Sequence, residues 1–81
     1  MTISGAVADR VEKLLRQKGL SAYKLVQLSA LPKETFKSLM KGKTASTDLR
    51  TIFSLCYGFG ISVGEFFDDP VFDYRSNDLN F

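Results

Sequence analysis

The chain has 81 residues, of which 44% are hydrophobic and 25% are charged. This length allows one domain with a modest core and leaves little room for a two-domain enzyme with a cleft. The composition is that of a folded soluble protein, so we expect the chain to fold by itself or as a dimer.

Several classes of protein are disfavoured by what the sequence lacks. No apolar run approaches the ~20 residues that a membrane helix needs, and the first residues do not resemble a signal peptide, so we expect a cytoplasmic protein without membrane association. One cysteine and no histidine leave no plausible ligand set for zinc or haem. Without histidine the commonest general base is also missing, so we expect no cofactor, no small-molecule ligand and no enzymatic activity.

Charge is unevenly distributed along the chain, although the net charge is only +2. Residues 1–50 contain ten lysines and arginines against four acidic residues, whereas residues 51–81 contain one against five. A basic front half suits a protein that presents one face to a polyanion, because attraction to phosphate depends on the local potential. An ordinary solvated surface has the same composition, so charge alone does not decide between the two.

The front of the chain contains two segments with helical spacing of apolar residues. The first predicted helix covers about residues 5–18 and is closed by Gly19 as a C-terminal cap. Ser21 stands where an N-cap hydroxyl belongs, and the second predicted helix runs from about 22 to 29.

The four residues from Ser29 to Pro32 form the connection between the second helix and a third, which is predicted over about residues 32–40. Pro32 is tolerated at the first helical position, and Gly42 ends the segment. The predicted buried side consists of Phe36, Leu39 and Met40. The other side is polar and basic, with Lys33, Glu34, Lys37, Ser38 and Lys41.

Two further helices and a tail follow a polar loop. The fourth helix is predicted over about residues 47–58, with Gly60 as its stop. Its predicted buried face consists of Leu49, Ile52, Phe53 and Cys56. A capping-box pattern begins a short fifth helix at about residue 63, which ends at Asp68 or Asp69. The acidic tail, 70–81, keeps enough apolar side chains that we expect part of it to pack on the domain or on a partner.

These landmarks resemble the lambda-repressor-like helix-turn-helix family of Cro and XRE regulators. The resemblance covers about residues 7–67 and implies an all-α, compact five-helix domain, here residues 1–69 followed by the C-terminal tail. It implies that the third helix enters the major groove of double-stranded DNA, where each base pair shows a distinct pattern of donors, acceptors and methyl groups. The segments that carry it are Gly19-Leu20-Ser21, Leu25-Val26, Leu31-Pro32-Lys33-Glu34-Thr35-Phe36, Leu39, Lys41-Gly42-Lys43, Phe59-Gly60-Ile61-Ser62 and Glu65-Phe66.

The resemblance also implies a set of DNA-contacting residues. The base-reading positions of the family fall on Lys33 and Glu34, with Thr35, Lys37 and Ser38 beside them. Lysine suits the two acceptors of guanine, and the glutamate either accepts from cytosine N4 or repels wrong sites. Phosphate contacts are expected from Ser21, Lys41, Lys43 and Thr44. The plain alternative for each of these residues is a solvated surface position.

Three departures from the family pattern stand out. The usual glutamine that opens the second helix is Ala22, and the usual turn glycine is Ala30, which is disfavoured if it must adopt a left-handed conformation. Where many members place an arginine and a glutamate, this chain has Leu15 and Met40, and we expect these two side chains to touch.

The leading hypothesis is a sequence-specific regulator, expected to be a repressor and a homodimer, because one such domain reads too few bases for strong specificity. The dimer is expected to form through the fifth helix and the tail, where apolar side chains exceed what a small core needs. Those side chains are Phe66, Phe67, Val71, Phe72 and Tyr74. The alternative is a protein-interaction module or an antitoxin whose aromatic, acidic tail binds a partner.

Overall fold

A computed structural model describes residues 1–42 and 47–79 and shows an all-α protein. The described residues form six α helices and one 3₁₀ turn, Pro70–Phe72. The helices are α1 (Ile3–Lys18), α2 (Ala22–Ser29), α3 (Lys33–Met40), α4 (Leu49–Phe59), α5 (Val63–Phe67) and α6 (Tyr74–Asn77). This all-α architecture, in which α1 to α5 lie between residues 3 and 67, confirms the predicted fold class.

Helix boundaries follow from short polar side chains at the first residue outside each helix. These side chains accept a hydrogen bond from a backbone N–H of the first turn, which otherwise has no partner within the helix. The N-caps of this kind in α1, α2, α4 and α5 are Thr2, Ser21, Asp48 and Ser62. Gly19 and Gly60 end α1 and α4 in the left-handed conformation.

Five predicted helix boundaries differ from the structure, and one of them is the end of α5, which lies at Phe67 rather than at Asp68 or Asp69. α1 begins at Ile3 rather than at residue 5, because Thr2 caps it. α3 begins at Lys33, with Pro32 as the N-cap rather than the first helical residue. α4 begins at Leu49 and ends at Phe59, because Asp48 caps its start by accepting from Thr51 N at 2.9 Å.

One buried cluster joins the first five helices. α2 packs against α4, α1 packs against α3, and α5 packs against α4. Phe66 of α5 and Leu25 of α2 are both fully buried. The cluster consists of Val7, Val11, Leu14, Leu25, Phe36, Leu39, Ile52, Leu55, Cys56, Phe59 and Phe66. Leu15 and Met40 pack against its edge, so their direct contact stays a prediction.

The predicted buried face of α4 is wrong at two of its four positions. Ile52 and Cys56 are buried, but Leu49 is 68% exposed and Phe53 is 59% exposed. The helix rests on Leu55 and Phe59 instead, which lie on the same side as Ile52 and Cys56. The apolar residues of α4 therefore extend around more of the helix than the core covers, and periodicity could not tell which side of this apolar surface faced the core.

The tail is held to α1 and α5 by a buried arginine. Arg10 is 6% exposed, and its Nε donates to the carbonyl oxygen of Phe66 at 2.7 Å. Its two terminal nitrogens bind Glu65 O at 2.9 Å and the Asp69 carboxylate at 3.3 Å. Lys13 Nζ contacts the same carboxylate at 2.8 Å. Arg10 thereby supplies donors to carbonyls at the end of α5, which lack partners within the helix.

Aromatic packing continues from α5 into the tail. The ring of Phe72 lies 5.9 Å from the ring of Phe66 and 4.8 Å from that of Phe67. Phe66 is fully buried and Phe72 is half-buried. The tail therefore packs on its own domain, as one of the two sequence-based expectations had it. Of the side chains assigned to a dimer contact, Phe66 is buried within one chain, whereas Phe67 and Tyr74 remain exposed, so that contact stays a prediction.

Candidate nucleic-acid interface

α2, a tight turn and α3 form a helix-turn-helix. Ala30 follows α2 with φ 59° and ψ 23°. This is the left-handed conformation, which is disfavoured for an alanine. Ser29 supports the turn from inside, because its Oγ donates to Val26 O at 3.3 Å and accepts from Leu31 N at 3.4 Å. Pro32, in extended conformation, follows the turn and is the N-cap of α3.

α3 has one buried face and one polar face. Phe36 and Leu39 anchor it in the core at 6% and 4% exposure. The five residues predicted to contact bases are all exposed, and within the described residues they make no side-chain hydrogen bond or ion pair. They are Lys33, Glu34, Thr35, Lys37 and Ser38. Their polar groups are therefore available to an external partner.

Lysines recur at four-residue intervals along α3. Lys33, Lys37 and Lys41 are all exposed, and residues at this spacing lie one above another on a helix. They form a basic row on the outer face of α3, which gives this face a positive potential that attracts a polyanion. Lys41 is the C-cap residue of α3, so it continues the row past the last turn.

Of the four residues predicted to contact phosphates, the structure describes Ser21 and Lys41. Ser21 is exposed at the start of α2, and its Oγ accepts a hydrogen bond from Lys24 N at 3.1 Å. Because that oxygen acts as acceptor, its own proton remains available to an outside acceptor. Lys43 and Thr44 lie outside the described residues.

A groove beside α3 carries negative charge. It has a volume of about 440 Å³ and lies between α3 and the start of α4, with Glu34 and Ser38 on one wall and Asp48 and Thr51 on the other. Hydrogen bonds from the side chain and backbone of Thr51 lower the pKa of Asp48, so that carboxylate is ionised at neutral pH. Two carboxylates on this side disfavour a phosphate in the groove.

Sequence reasoning missed a polar pair on the exposed side of α2. Tyr23 is 72% exposed, and its hydroxyl oxygen accepts a hydrogen bond from Gln27 Nε2 at 3.2 Å. The four-residue spacing of Tyr23 and Gln27 was visible in the sequence. The structure buries Leu25 and Ser29 on the opposite face of α2. The pair stands one residue after Ala22, where the family's usual glutamine is missing.

Other kinds of site find no support in the described part of the chain. No group of three or more residues there could hold a metal ion. No helix in residues 1–42 and 47–79 is long and apolar enough to cross a membrane. Burial raises the pKa of the Cys56 thiol, which lies within the core.

Comparison with known families identifies the domain. The model of the Cro/C1-type helix-turn-helix DNA-binding domain matches residues 10–70, which span α1 to α5. Comparisons with curated proteins and with solved structures gave no match. The matched residues cover most of the chain and include the α2, turn and α3 unit with its polar outer face. The chain therefore belongs to the Cro/C1-type helix-turn-helix family of DNA-binding regulators.

Proposed function

We propose that this protein is a cytoplasmic transcriptional repressor that binds a specific double-stranded DNA sequence as a homodimer and reads the major groove with α3. The carrying observation is the outer face of α3, where five polar side chains are exposed while Phe36 and Leu39 fix the helix in the core. An α helix fits the major groove, and side chains near its N-terminus reach base edges.

Residues at the start of α3 take the reading role in this proposal. Lys33 donates to the O6 and N7 acceptors of a guanine, and Glu34 accepts from cytosine N4 or repels sites that lack that donor. Thr35, Lys37 and Ser38 contact neighbouring bases or a thymine methyl group. Each of these side chains is exposed on the same helix, within about two turns.

Residues at the ends of the motif take the holding role. Ser21, Lys41, Lys43 and Thr44 contact phosphates, because hydroxyls, lysines and helix N-termini supply most hydrogen bonds to the DNA backbone. Such contacts orient the domain without reading sequence. Repression follows from occupancy, since a protein bound over a promoter excludes polymerase without any further contact.

The alternative of an interaction module or antitoxin has less support. It requires a tail that is free to bind a partner, whereas Phe72 packs against Phe66 and Phe67 of its own chain. Asp69, at the start of the tail, is likewise engaged by Arg10 and Lys13. An enzymatic role has no arrangement of groups to support it among the described residues, and we propose none.

The test is selection of bound duplexes from a random pool, followed by titration of single variants. Lys33→Ala should weaken binding to the best duplex by about 1 to 3 kcal/mol and relax preference at one base pair. Lys43→Ala and Lys41→Ala should weaken all duplexes nearly equally and reduce the slope of log affinity against log salt by about one.

Arg75→Ala is the matched control, because it also removes one positive charge but lies in α6, where Arg75 pairs with Asp73 of the same chain. It should leave both preference and salt slope unchanged. Equal losses on selected and random DNA for Lys33→Ala would show that α3 does not read bases. Absence of any selected sequence would overturn the proposal as a whole.

A further inference from the structure

The outer face of α4 carries an apolar stripe made of Leu49, Phe53 and Tyr57. These side chains are 68%, 59% and 78% exposed. They are spaced by four residues, so they lie one above another along the helix. Their spacing places all three on one side of α4, and exposed apolar side chains that share one side of a helix are a candidate interaction site.

Charge along the stripe is confined to its N-terminal end, where Asp48 and Arg50 flank Leu49. The sequence from Thr51 to Gly64 contains no charged residue, and Arg50 is the one charged residue within α4. The exposed sides of α1, α2 and α3 all carry lysine. DNA binding draws on lysine and arginine, so DNA does not fit the stripe. Depletion of charge and enrichment in aromatic residues are instead typical of the core of a protein–protein interface.

We infer that the α4 stripe is the homodimer surface, on which a second copy of this chain docks with its own α4 in antiparallel orientation. The inference rests on the proposed function and names the partner surface that it requires. Phe53 lies midway between Leu49 and Tyr57, so a two-fold axis through Phe53 pairs it with Phe53 of the partner subunit. The same axis lays Leu49 on the partner's Tyr57, which makes the stripe self-complementary.

Electrostatics favour the antiparallel orientation. The C-terminal end of α4 carries the negative end of the helix dipole, and its last turn contains no basic residue. Antiparallel packing brings Arg50 of each copy to that end of the other, close to the partner's Tyr57, whose ring face also attracts a cation. Parallel packing would instead align the two helix dipoles and leave both C-terminal ends of α4 without a cation.

The location of the stripe relative to the reading helix fits a second copy. Thr35 and Ser38 of α3 share a groove with Thr51 of α4, so α3 and the start of α4 are neighbours. A dimer built on α4 therefore fixes two α3 helices relative to one another, as reading of a two-fold DNA site requires. At the surface expected from the sequence, Phe66 and Phe72 pack within one chain, while Phe67 and Tyr74 are 39% and 59% exposed. Leu49 and Tyr57 of the stripe are more exposed than either.

Sedimentation equilibrium of the full chain tests the inference, both free at up to about 100 µM and on the selected duplex. Tyr57→Ser should raise the dimer dissociation constant at least about tenfold, and Phe53→Ser at least about a hundredfold because the axis removes the ring from both copies. For the free protein, Tyr23→Ser is the matched control, since Tyr23 is 72% exposed but lies on α2. It should leave the dissociation constant unchanged. Thermal unfolding by circular dichroism verifies that each variant is folded.

Cysteine cross-linking gives the orientation. Phe53→Cys should form an intermolecular disulfide on mild oxidation, whereas the wild type should not, because Cys56 is buried. A mixture of Leu49→Cys and Tyr57→Cys chains should cross-link with each other and not with themselves. Cross-linking of Leu49→Cys to itself would overturn the antiparallel arrangement.

Two results overturn the inference as a whole. One is a wild-type monomer both free and on DNA, and the other is an unchanged dimer in folded Phe53→Ser and Tyr57→Ser chains. If the monomer still selects a DNA sequence, the proposed function stands and only the dimer surface is wrong. If the stripe forms the dimer but no duplex is selected, the proposed function fails and the dimer surface stands.

Discussion

Gly58 lies near the end of α4, where that helix meets α2. A Cβ atom at this position would lie 2.9 Å from Ser29 Cβ, 3.0 Å from Ser29 N and 3.1 Å from Leu25 Cδ1. Contacts this short force atoms apart, and one of the three is backbone. Gly58→Ala must therefore displace α2 from α4 at the residue that begins the turn into α3.

Two opposing effects determine the result of Gly58→Ala. Helix propensity alone favours alanine over glycine by about 1 kcal/mol. Overpacking in a close contact costs about 1 to 3 kcal/mol, and the upper part of that range applies because backbone must move. We expect a net loss of about 1 to 2 kcal/mol in the free energy of unfolding, or a Tm lower by about 4 to 16 °C for a domain of this size.

Urea denaturation of the wild type and the variant measures the loss, with an unchanged m-value as the sign of a two-state comparison. Gly64→Ala in α5 is the matched control, because a Cβ there meets only Ser62 Oγ at 3.9 Å. Propensity then acts alone and should leave stability unchanged or raised. A Gly58→Ala chain as stable as the wild type, or more stable, would refute the close contact between α2 and α4.

Three further substitutions test other parts of the fold. Ala30→Gly should raise the free energy of unfolding by about 0.5 to 1 kcal/mol, because glycine adopts the left-handed conformation of this turn without strain; a destabilised variant in thermal unfolding would contradict this. The pKa of Asp69 lies below its ordinary value of 3.8, first through a hydrogen bond from Lys13, so its stabilising contribution is complete above that value and is lost as the pH falls through the lower pKa of the folded state. Asp69→Asn should lower stability near pH 7 by about 2 kcal/mol, and the difference from the wild type should shrink as the pH falls through the lowered pKa of the folded state; an equal difference at every pH would exclude this linkage. Met40→Glu should destabilise the chain by about 2 kcal/mol or more, because a carboxylate would meet Leu15 without a partner, and an unchanged Tm would show that these two side chains do not touch.

Local chemistry made much of the helical framework predictable from the sequence. A serine just before a helical pattern caps the helix, as Ser21 and Ser62 do, and Gly19 ends a helix because glycine reaches the left-handed conformation freely. The order of these signals identified the family. The polar face of α3 was also predictable, since burial of Phe36 and Leu39 fixes which side is left outside.

Tertiary packing decided the features that depend on two distant segments. The contact of Gly58 with Ser29, the hold of Arg10 on α5 and the exposure of Leu49 and Phe53 each require knowledge of how helices are placed in space. Periodicity marks a residue as apolar without saying which of two apolar edges meets the core. The sequence by itself therefore determined the helices and the polar outer face of α3, whereas only the folded chain revealed the apolar stripe left uncovered on α4.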